Sequence, residues 1–281
     1  MNILLIYGGI SWERTGSLAS ADNILSSLKD INVNVYTMDY NGDSKSLIEF
    51  IGENQIDLVF NTMHGKLGED GVVQGFFDVL KMPYIGSGVL GSALSMNKYI
   101  TKLVLKGAGY KVAEGICAKS NGDDSSVKIP LILKEKGLNY PLIVKPNNQG
   151  SKLGISLATN EDDLFNSIDS AFQYDHEIVI EQFINGKEIA VCMYYKDNEK
   201  FFLPLVEVGH DLLDKTFMIN EKSHHIIPAR IDTTTSDNIV NIASEIFDLF
   251  SIKDYGRIDM IIDGDDYQVA ENRMCYISAV H

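Results

Sequence analysis

Four short segments of this chain carry side chains whose types and spacing suit chemistry on charged ligands. In Gly8-Gly9-Ile10-Ser11-Trp12-Glu13-Arg14, glycines follow an apolar run, so a ligand can approach the backbone, and a helix start there favours negative charge. Glu13 offers the opposite chemistry, a carboxylate for an amine; the plain alternative is a glycine turn with a solvated Glu-Arg pair. In His64-Gly65-Lys66-Leu67-Gly68-Glu69-Asp70-Gly71, a histidine, a lysine and two acids crowd a glycine-rich loop. Such a loop at a strand end suits small-molecule contact, while Glu69 and Asp70 equally suit the N-terminus of a following helix. In Ile143-Val144-Lys145-Pro146-Asn147-Asn148-Gln149-Gly150-Ser151-Lys152-Leu153-Gly154, a lysine leaves an apolar strand and a polar loop follows. The N–H groups of such a loop can wrap triphosphate oxygens, with Lys145 as a point charge. The GxxxxGK[ST] spacing of a Walker loop is absent. A hairpin turn is the alternative, and a lysine among apolar strand residues calls for a partner that a bare turn lacks. In Gly256-Arg257-Ile258-Asp259, followed by Glu271-Asn272, Arg257 and Asp259 are two apart and share a face of a strand. Asp259 and Glu271 can converge on a hard cation such as magnesium, which takes one or two carboxylates plus phosphate oxygens. Arg257 beside them suits charge developing on a transferred phosphoryl group. A surface hairpin with cross-strand charge pairs is the alternative.

These segments require strands and helices to hold them. Residues 2–7, 33–38, 57–61 and 83–86 read as strands, alternating with helices over 17–28 and 72–81. That βαβ rhythm predicts a parallel sheet covered by helices, with ligands at the carboxyl ends of its strands. One long helix is expected over 91–106, ended by Gly107 and Gly109. Strands follow at 112–117, 141–145 and 178–182, with a polar turn over 147–154 and a helix over 161–172. The last third opens with strands at 188–195 and 201–206, then a loop with few regular signals over 209–225. Residues 236–250 form the cleanest amphipathic helix, and strands 256–262 and 267–271 are joined by a Gly-Asp-Asp turn. Boundaries near residues 89 and 182 divide the chain into three units, 1–89, 90–182 and 183–281.

The 281 residues, 45% apolar with six prolines, are an ordinary globular composition with room for a sizeable core. The formal net charge of −15 argues against a nucleic-acid or anionic-membrane surface while leaving room for a local basic pocket. Cys117, Cys192 and Cys275 are widely spaced and form no CxxC, so a disulfide framework or zinc knuckle is not expected. The N-terminus reads as a first strand rather than a signal peptide, and no apolar run reaches the length of a membrane span. A cytoplasmic protein is the expectation.

Taken together and in order, GGISWER, HGKLGEDGVVQGFFDVL, PYIGSGVLGSALSMNKYITKLVLKGAG, PLIVKPNNQGSKLGIS, IEQFINGKE and GRIDM resemble the D-alanine–D-alanine ligases of the ATP-grasp superfamily, from Asn2 to about Glu271. The resemblance implies an α/β architecture: an N-terminal βαβ substrate domain, and an ATP-grasp fold holding ATP between a central and a C-terminal unit. It also implies that ATP phosphorylates the carboxylate of one amino acid and the amine of a second attacks the acyl-phosphate. ATP and Mg2+, with Mn2+ as a substitute, are the implied cofactors, and cell-wall (peptidoglycan) precursor synthesis the implied role. Glu13 matches the family's acid for the first amino acid's ammonium, and His64 the histidine near its carboxylate. Lys98 and Lys145 match the two nucleotide-binding lysines, Ser151 the serine of the glycine loop, and Glu181 and Glu188 the acids near adenine and ribose. Lys222 fits a further family lysine. Arg257 matches the arginine that stabilises the tetrahedral intermediate. Asp259, Glu271 and Asn272 fall at the metal carboxylates and their neighbouring amide, and Ser278 in the loop for the second amino acid's carboxylate. The family's dimers, formed through the N-terminal region, make a homodimer the candidate assembly.

The chain departs from the family pattern at five places. Thr15-Gly16-Ser17 stands for Glu-Val-Ser, and Lys152 for the second serine of the glycine loop. The loop Phe217–Ser223 lacks the family's tyrosine; the alternatives are that His224 or His225 takes its place or that both are plain exposed loop residues, the latter being the expectation. The family's Glu-x-Asn is here Glu271-Asn272-Arg273, which a one-residue bulge would reconcile. The sequence ends at His281, ahead of the family's closing helices, so a shortened C-terminal unit is expected. Besides a D-alanyl-D-alanine-forming ligase, two readings stay open: an ATP-grasp ligase for another amino acid or small peptide product, and a nucleotide-binding homologue without catalysis. A partner protein that binds no nucleotide sits poorly with Lys98, Lys145, Glu181 and Glu188.

Overall fold

A computed structural model of the chain describes residues 1–120, 128–209, 224–263 and 266–273. Strands β1 (Asn2–Gly8), β2 (Asn34–Tyr40), β3 (Leu58–Asn61) and β4 (Tyr84–Ile85) form a parallel sheet in the order β2-β1-β3-β4. Helices α1 (Arg14–Leu28), α2 (Ser44–Glu53) and α3 (Val72–Leu80) are its crossovers. Leu4, Leu5 and Ile6 of β1 are all fully buried, as expected of a central strand covered on both faces. Helix α2 is not among the elements expected above. Its start was nevertheless written at Asp43, whose carboxylate accepts from the Lys45 and Ser46 N–H groups.

Two helices follow where the spacing predicts one. Helix α4 (Val89–Met96) stops at Asn97, which is extended (φ −88°, ψ 98°), and α5 (Lys98–Gly107) starts afresh with the Asn97 side chain accepting from the Ile100 N–H. Asparagine competes with the helix for its own backbone and prefers the cap, so the apolar rhythm continues through a break that it cannot report. The break reorients the chain at Lys98.

A second sheet joins β5 (Gly115–Lys119), β6 (Leu142–Pro146), β7 (Ser156–Ala158) and β8 (Glu177–Gln182), antiparallel in the order β5-β8-β6-β7. Helices α6 (Ile129–Glu135) and α7 (Glu161–Ala171) cover its apolar face through Ile129, Leu133, Leu164 and Ile168. Neither α6 nor β7 was expected from the spacing, each being too short to display a period.

The third sheet contains β9 (Lys187–Lys196), β10 (Glu199–Phe202), β11 (Val206–Gly209), β12 (His224–Ile226), β13 (Tyr255–Asp263) and β14 (Asp266–Arg273), with path β12-β11-β9-β13-β14 and β10 also on β9. The single strand expected over 201–206 is two strands. Pro204 has no N–H to give to a ladder, and the chain leaves β9 there before returning as β11. Alternation divides the faces of this sheet. Ile189, Val191, Met193, Ile258, Met260 and Ile262 enter one core with helix α8 (Thr233–Leu249), through Ile239, Ile242, Ile246 and Phe247, and with Leu105 of α5. The opposite face carries Glu188, Arg257 and Asp259, because Asp259 pairs with Ala190 and Ile261 with Glu188. No helix among the described residues is long and apolar enough to cross a membrane.

Beside that core, buried Glu207 of β11 accepts from the Arg230 backbone N–H at 3.0 Å, from its Nε at 3.1 Å and from its Nη2 at 2.5 Å. The hydrogen bonds from Arg230 hold the Glu207 carboxyl down at about 2, against an ordinary value of 4.5. A carboxyl with a depressed folded pKa stabilises the fold fully above its unfolded pKa, and that contribution disappears as pH falls toward the folded value. The urea midpoint should therefore decline between pH 4.5 and pH 2, with part of that decline missing in Glu207→Gln. Superimposable profiles of the two proteins would refute this role.

Candidate active site

Three loops meet on Glu13. The residue sits at the start of α1 with only 6% of its surface exposed. One carboxylate oxygen accepts from the Gly150 N–H at 3.0 Å, and the other from the Ser151 hydroxyl. The solvated Glu-Arg pair is thereby ruled out: Arg14 turns away to Asp39, with Nη1–Oδ1 and Nη2–Oδ2 contacts of 2.8 and 2.5 Å. Two glycines make the approach to Glu13 possible. A Cβ on Gly150 would lie 2.7 Å from both Glu13 oxygens, and one on Gly65, already at φ +68°, 2.8 Å from Oε1. Trp12, the single tryptophan, packs edge-on against Tyr174 beside the same loop at a ring separation of 5.6 Å.

His64 is anchored by its neighbours. Its carbonyl accepts from the Ser11 hydroxyl at 2.7 Å, and its Nε2 lies 2.9 Å from the Ser20 hydroxyl. Burial pushes the imidazole below its ordinary pKa of 6.5, only partly opposed by the charge of Glu13, so the ring is neutral at pH 7 and acts as a hydrogen-bonding group. Glu69 and Asp70 serve the loop itself: Glu69 accepts from the Gly65 N–H at 2.6 Å, and Asp70 from the Leu67 and Val72 N–H groups at 2.8 and 3.1 Å.

The partner that Lys145 calls for is Glu181. On adjacent strands β6 and β8, Lys145 Nζ lies 2.7 Å from Glu181 Oε1. The other oxygen of Glu181 accepts from Lys102, a residue not among those expected in the site. Its signal was present in MNKYITK, where Lys102 follows Lys98 by four residues and so shares its face of α5. Lys98, Lys102, Lys145 and Glu181 are all buried. The ammonium of Lys98 donates to the Gln149 carbonyl, and its backbone N–H to the Asn147 carbonyl at 3.1 Å. Fully buried Asn147 ties the same junction, accepting from the Tyr99 N–H at 2.9 Å and donating to Glu177 at 2.9 Å. Residues 147–154 thus join the hairpin strands β6 and β7 and form a loop held from both ends, so the hairpin and the ligand loop are one object.

On the polar face of the third sheet, Arg257 and Asp259 pair with Nη2–Oδ2 and Nε–Oδ1 separations of 2.9 Å. Lys152 reaches across from the loop to Glu188 at 3.8 Å. β14 carries a bulge, but it precedes Glu271 and does not bring Glu271 and Asn272 onto one face. Asp259 pairs with Glu271 while Met260 pairs with Val269, leaving Ala270 as the extra residue. Asn272 then pairs with Ile258 and Arg273 with Arg257, so the register brings Glu271 and Arg273, rather than Asn272, opposite the two polar residues of β13. Lys222 and Ser278 lie outside the described residues. Cys117 and Cys192 form no disulfide among the described residues, and burial raises Cys192 above its ordinary pKa.

The chemistry of these donors fits a nucleotide and a hard cation. Three buried lysines gather around the buried carboxylate of Glu181, the kind of cationic group that polyphosphate requires. Asp259, with Glu271 opposite it in register, supplies oxygen donors of the kind that magnesium takes alongside phosphate oxygens.

A two-sheet nucleotide cleft of this kind, fronted by a parallel-sheet domain, defines an ATP-grasp protein, and the comparisons agree. The D-ala D-ala ligase C-terminus family matches residues 104–272, and the D-ala D-ala ligase N-terminus family matches residues 41–87. A D-alanine–D-alanine ligase of Halalkalibacterium halodurans is 36% identical over 271 residues, covering 94% of this chain and 85% of the relative. D-alanine–D-alanine ligase B of Clostridium perfringens is 33% identical over 266 residues, covering 93% and 83%. Among solved structures, the D-alanine–D-alanine ligase of Bacillus anthracis matches with a TM-score of 0.81 at 27% identity, covering 97% of this chain and 86% of that one. Its complex with ATP matches at 0.79 and 26% identity, with the same coverage. The chain belongs to the D-alanine–D-alanine ligase family. It is an ATP- and Mg2+-dependent dipeptide ligase of cell-wall precursor synthesis.

Gly150→Ala tests the contact that closes the site. The intruding methyl meets the end of a flexible side chain, so the fold should lose no more than about 1 kcal/mol. Displacing Glu13 should lower kcat/KM for the first amino acid by roughly tenfold or more and shift the Trp12 emission. Unchanged kinetics and emission would show that Glu13 and the loop are not coupled.

Proposed function

We propose that the chain joins two D-alanines, and that the cleft residues divide the work as follows. Glu13 receives the ammonium of the first D-alanine and His64 its carboxylate end. Lys98 and Lys145 neutralise the phosphates, the loop bearing Ser151 closes over them, and Glu181 and Glu188 serve adenine and ribose, with Lys222 a further nucleotide contact. The first D-alanine's carboxylate attacks the terminal phosphoryl group, giving an acyl-phosphate and ADP. The amine of the second then attacks the acyl carbon and phosphate leaves. Arg257 stabilises the charge on the tetrahedral intermediate, and Ser278 meets the second carboxylate. Asp259 and Glu271 would hold magnesium, and the ion when bound supplies charge neutralisation of the phosphates; Asn272, paired with Ile258, drops out of the set that the family pattern implies. Excluding water protects the acyl-phosphate, which is the use of a loop clamped at both ends.

The observation that carries this reading is the convergence of Glu13, Gly150 and Ser151 beside a pocket holding Lys98, Lys102 and Lys145. A carboxylate suited to an amine beside cations suited to phosphate is what a ligase that activates an amino acid's own carboxylate needs. The units are residues 1–89 for the first substrate, 90–182 and 183–281 for ATP. The protein works in the cytoplasm, where ATP is found. A homodimer is supported by an apolar face on α3 and α4: Val72, Val79, Val89 and Leu90 are exposed, and Val89 lies against Gly75. Light scattering should return a dimer that Val79→Glu dissociates, and a monomeric wild type removes this part of the proposal.

The activity is tested by ADP release with ATP, Mg2+ and a panel of amino acids. Release should require D-alanine and fall by at least about 10²-fold in Asp259→Ala. Release with another amino acid only would move the substrate, and nucleotide binding without turnover on any acceptor would contradict a working ligase.

A further inference from the structure

Lys102 does not belong to the residues assigned above, yet it holds one of the most buried charges in the molecule. Its ammonium grips one oxygen of Glu181 from α5 while Lys145 holds the other at 2.7 Å from β6. The three side chains are at most 8% exposed. Burial alone would push the Glu181 carboxyl up, but the charges of Lys102 and Lys145 and their hydrogen bonds outweigh it and hold the group below its ordinary value. Two cations thus share one carboxylate, and the sharing has a use.

With Lys145 alone, the pair would be neutral and closed. Moving Lys145 onto a phosphate would strand Glu181 as a buried carboxylate without a counter-charge, which is strongly unfavourable. With Lys102 fixed on the second oxygen, Lys145 can exchange its carboxylate contact for a phosphate oxygen while Glu181 stays ionised and partnered. We propose that Lys102 is a positioning residue for the nucleotide: by holding Glu181 from the helix side, it releases Lys145 to the triphosphate. Lys102 touches no phosphate itself and acts through Glu181. The inference rests on the reading of this pocket as the nucleotide site.

The test is a double-mutant cycle read by calorimetric titration of the full chain with ATP and Mg2+, with circular dichroism to establish folding. Lys102→Met should weaken ATP binding by about tenfold or more, the scale of one charge-assisted contact. In the Glu181→Gln background, where the carboxylate through which Lys102 acts is gone, the same substitution should change affinity by no more than about twofold. Lys102→Gln keeps a donor for the carboxylate without the charge, and it makes the same comparison should the methionine variant not fold. Lys102→Arg, which keeps the charge, should retain most of the wild-type affinity. An equal loss in both backgrounds, or no loss in either, overturns the proposal, because Lys102 would then act directly on the ligand or serve stability alone. A wild type that binds no ATP overturns the nucleotide reading together with this inference, and it is recognised before any variant is compared.

Discussion

Everything in the cleft depends on keeping positive charge dry. Lys98, Lys102 and Lys145 are buried beside one carboxylate, Glu181, and no protein buries such a set without a scaffold that satisfies each ammonium. The scaffold is specific. The pairing of β6 with β8 sets Lys145 opposite Val179, and hence diagonal to Glu181 on one face of the sheet. The break at Asn97 starts α5 where Lys98 meets the Gln149 carbonyl and Lys102 meets Glu181. The third sheet keeps its apolar residues on α8 and α5, which leaves Glu188, Arg257 and Asp259 on its opposite face.

A second dependence links the parallel-sheet domain to that pocket. Glu13 is separated from Gly150 by most of the first two sheets in sequence, yet its carboxylate is held by the loop's own N–H and hydroxyl groups. Glu13 and the loop of Gly150 and Ser151 are therefore positioned by one set of hydrogen bonds. Gly65 and Gly150 are both glycine because a methyl group at either would occupy the space of the Glu13 carboxylate.

The parts legible in the sequence were those with long periods or many residues per motif. The βαβ rhythm gave the parallel sheet, the stripe over 236–250 gave α8, and the ordered motifs pointed to the ATP-grasp fold that the solved structures share. The demand of Lys145 for a buried partner was legible too, but the partner's identity needed the register of β6 against β8. What stayed hidden was set by single residues or by tertiary pairing. Asn97 breaks a helix whose apolar spacing never falters, and Pro204 divides one apolar run into two strands. The bulge at Ala270 leaves no mark in the sequence, and only the pairing of Asp259 with Glu271 and of Met260 with Val269 shows it. Lys102 looked like an ordinary polar face of a helix until Glu181 was placed beside it.

The central claim is that the dry lysine pocket between the second and third sheets is where a triphosphate binds. Its most direct test is calorimetric titration of the wild type and of Lys145→Ala with ATP and with ADP, both in Mg2+. The account predicts saturable ATP binding by the wild type and a loss of about tenfold or more in the variant, on the scale of one charge-assisted contact, with the fold intact by circular dichroism. Equal affinity in the two proteins would contradict it, and would place the nucleotide elsewhere in the molecule.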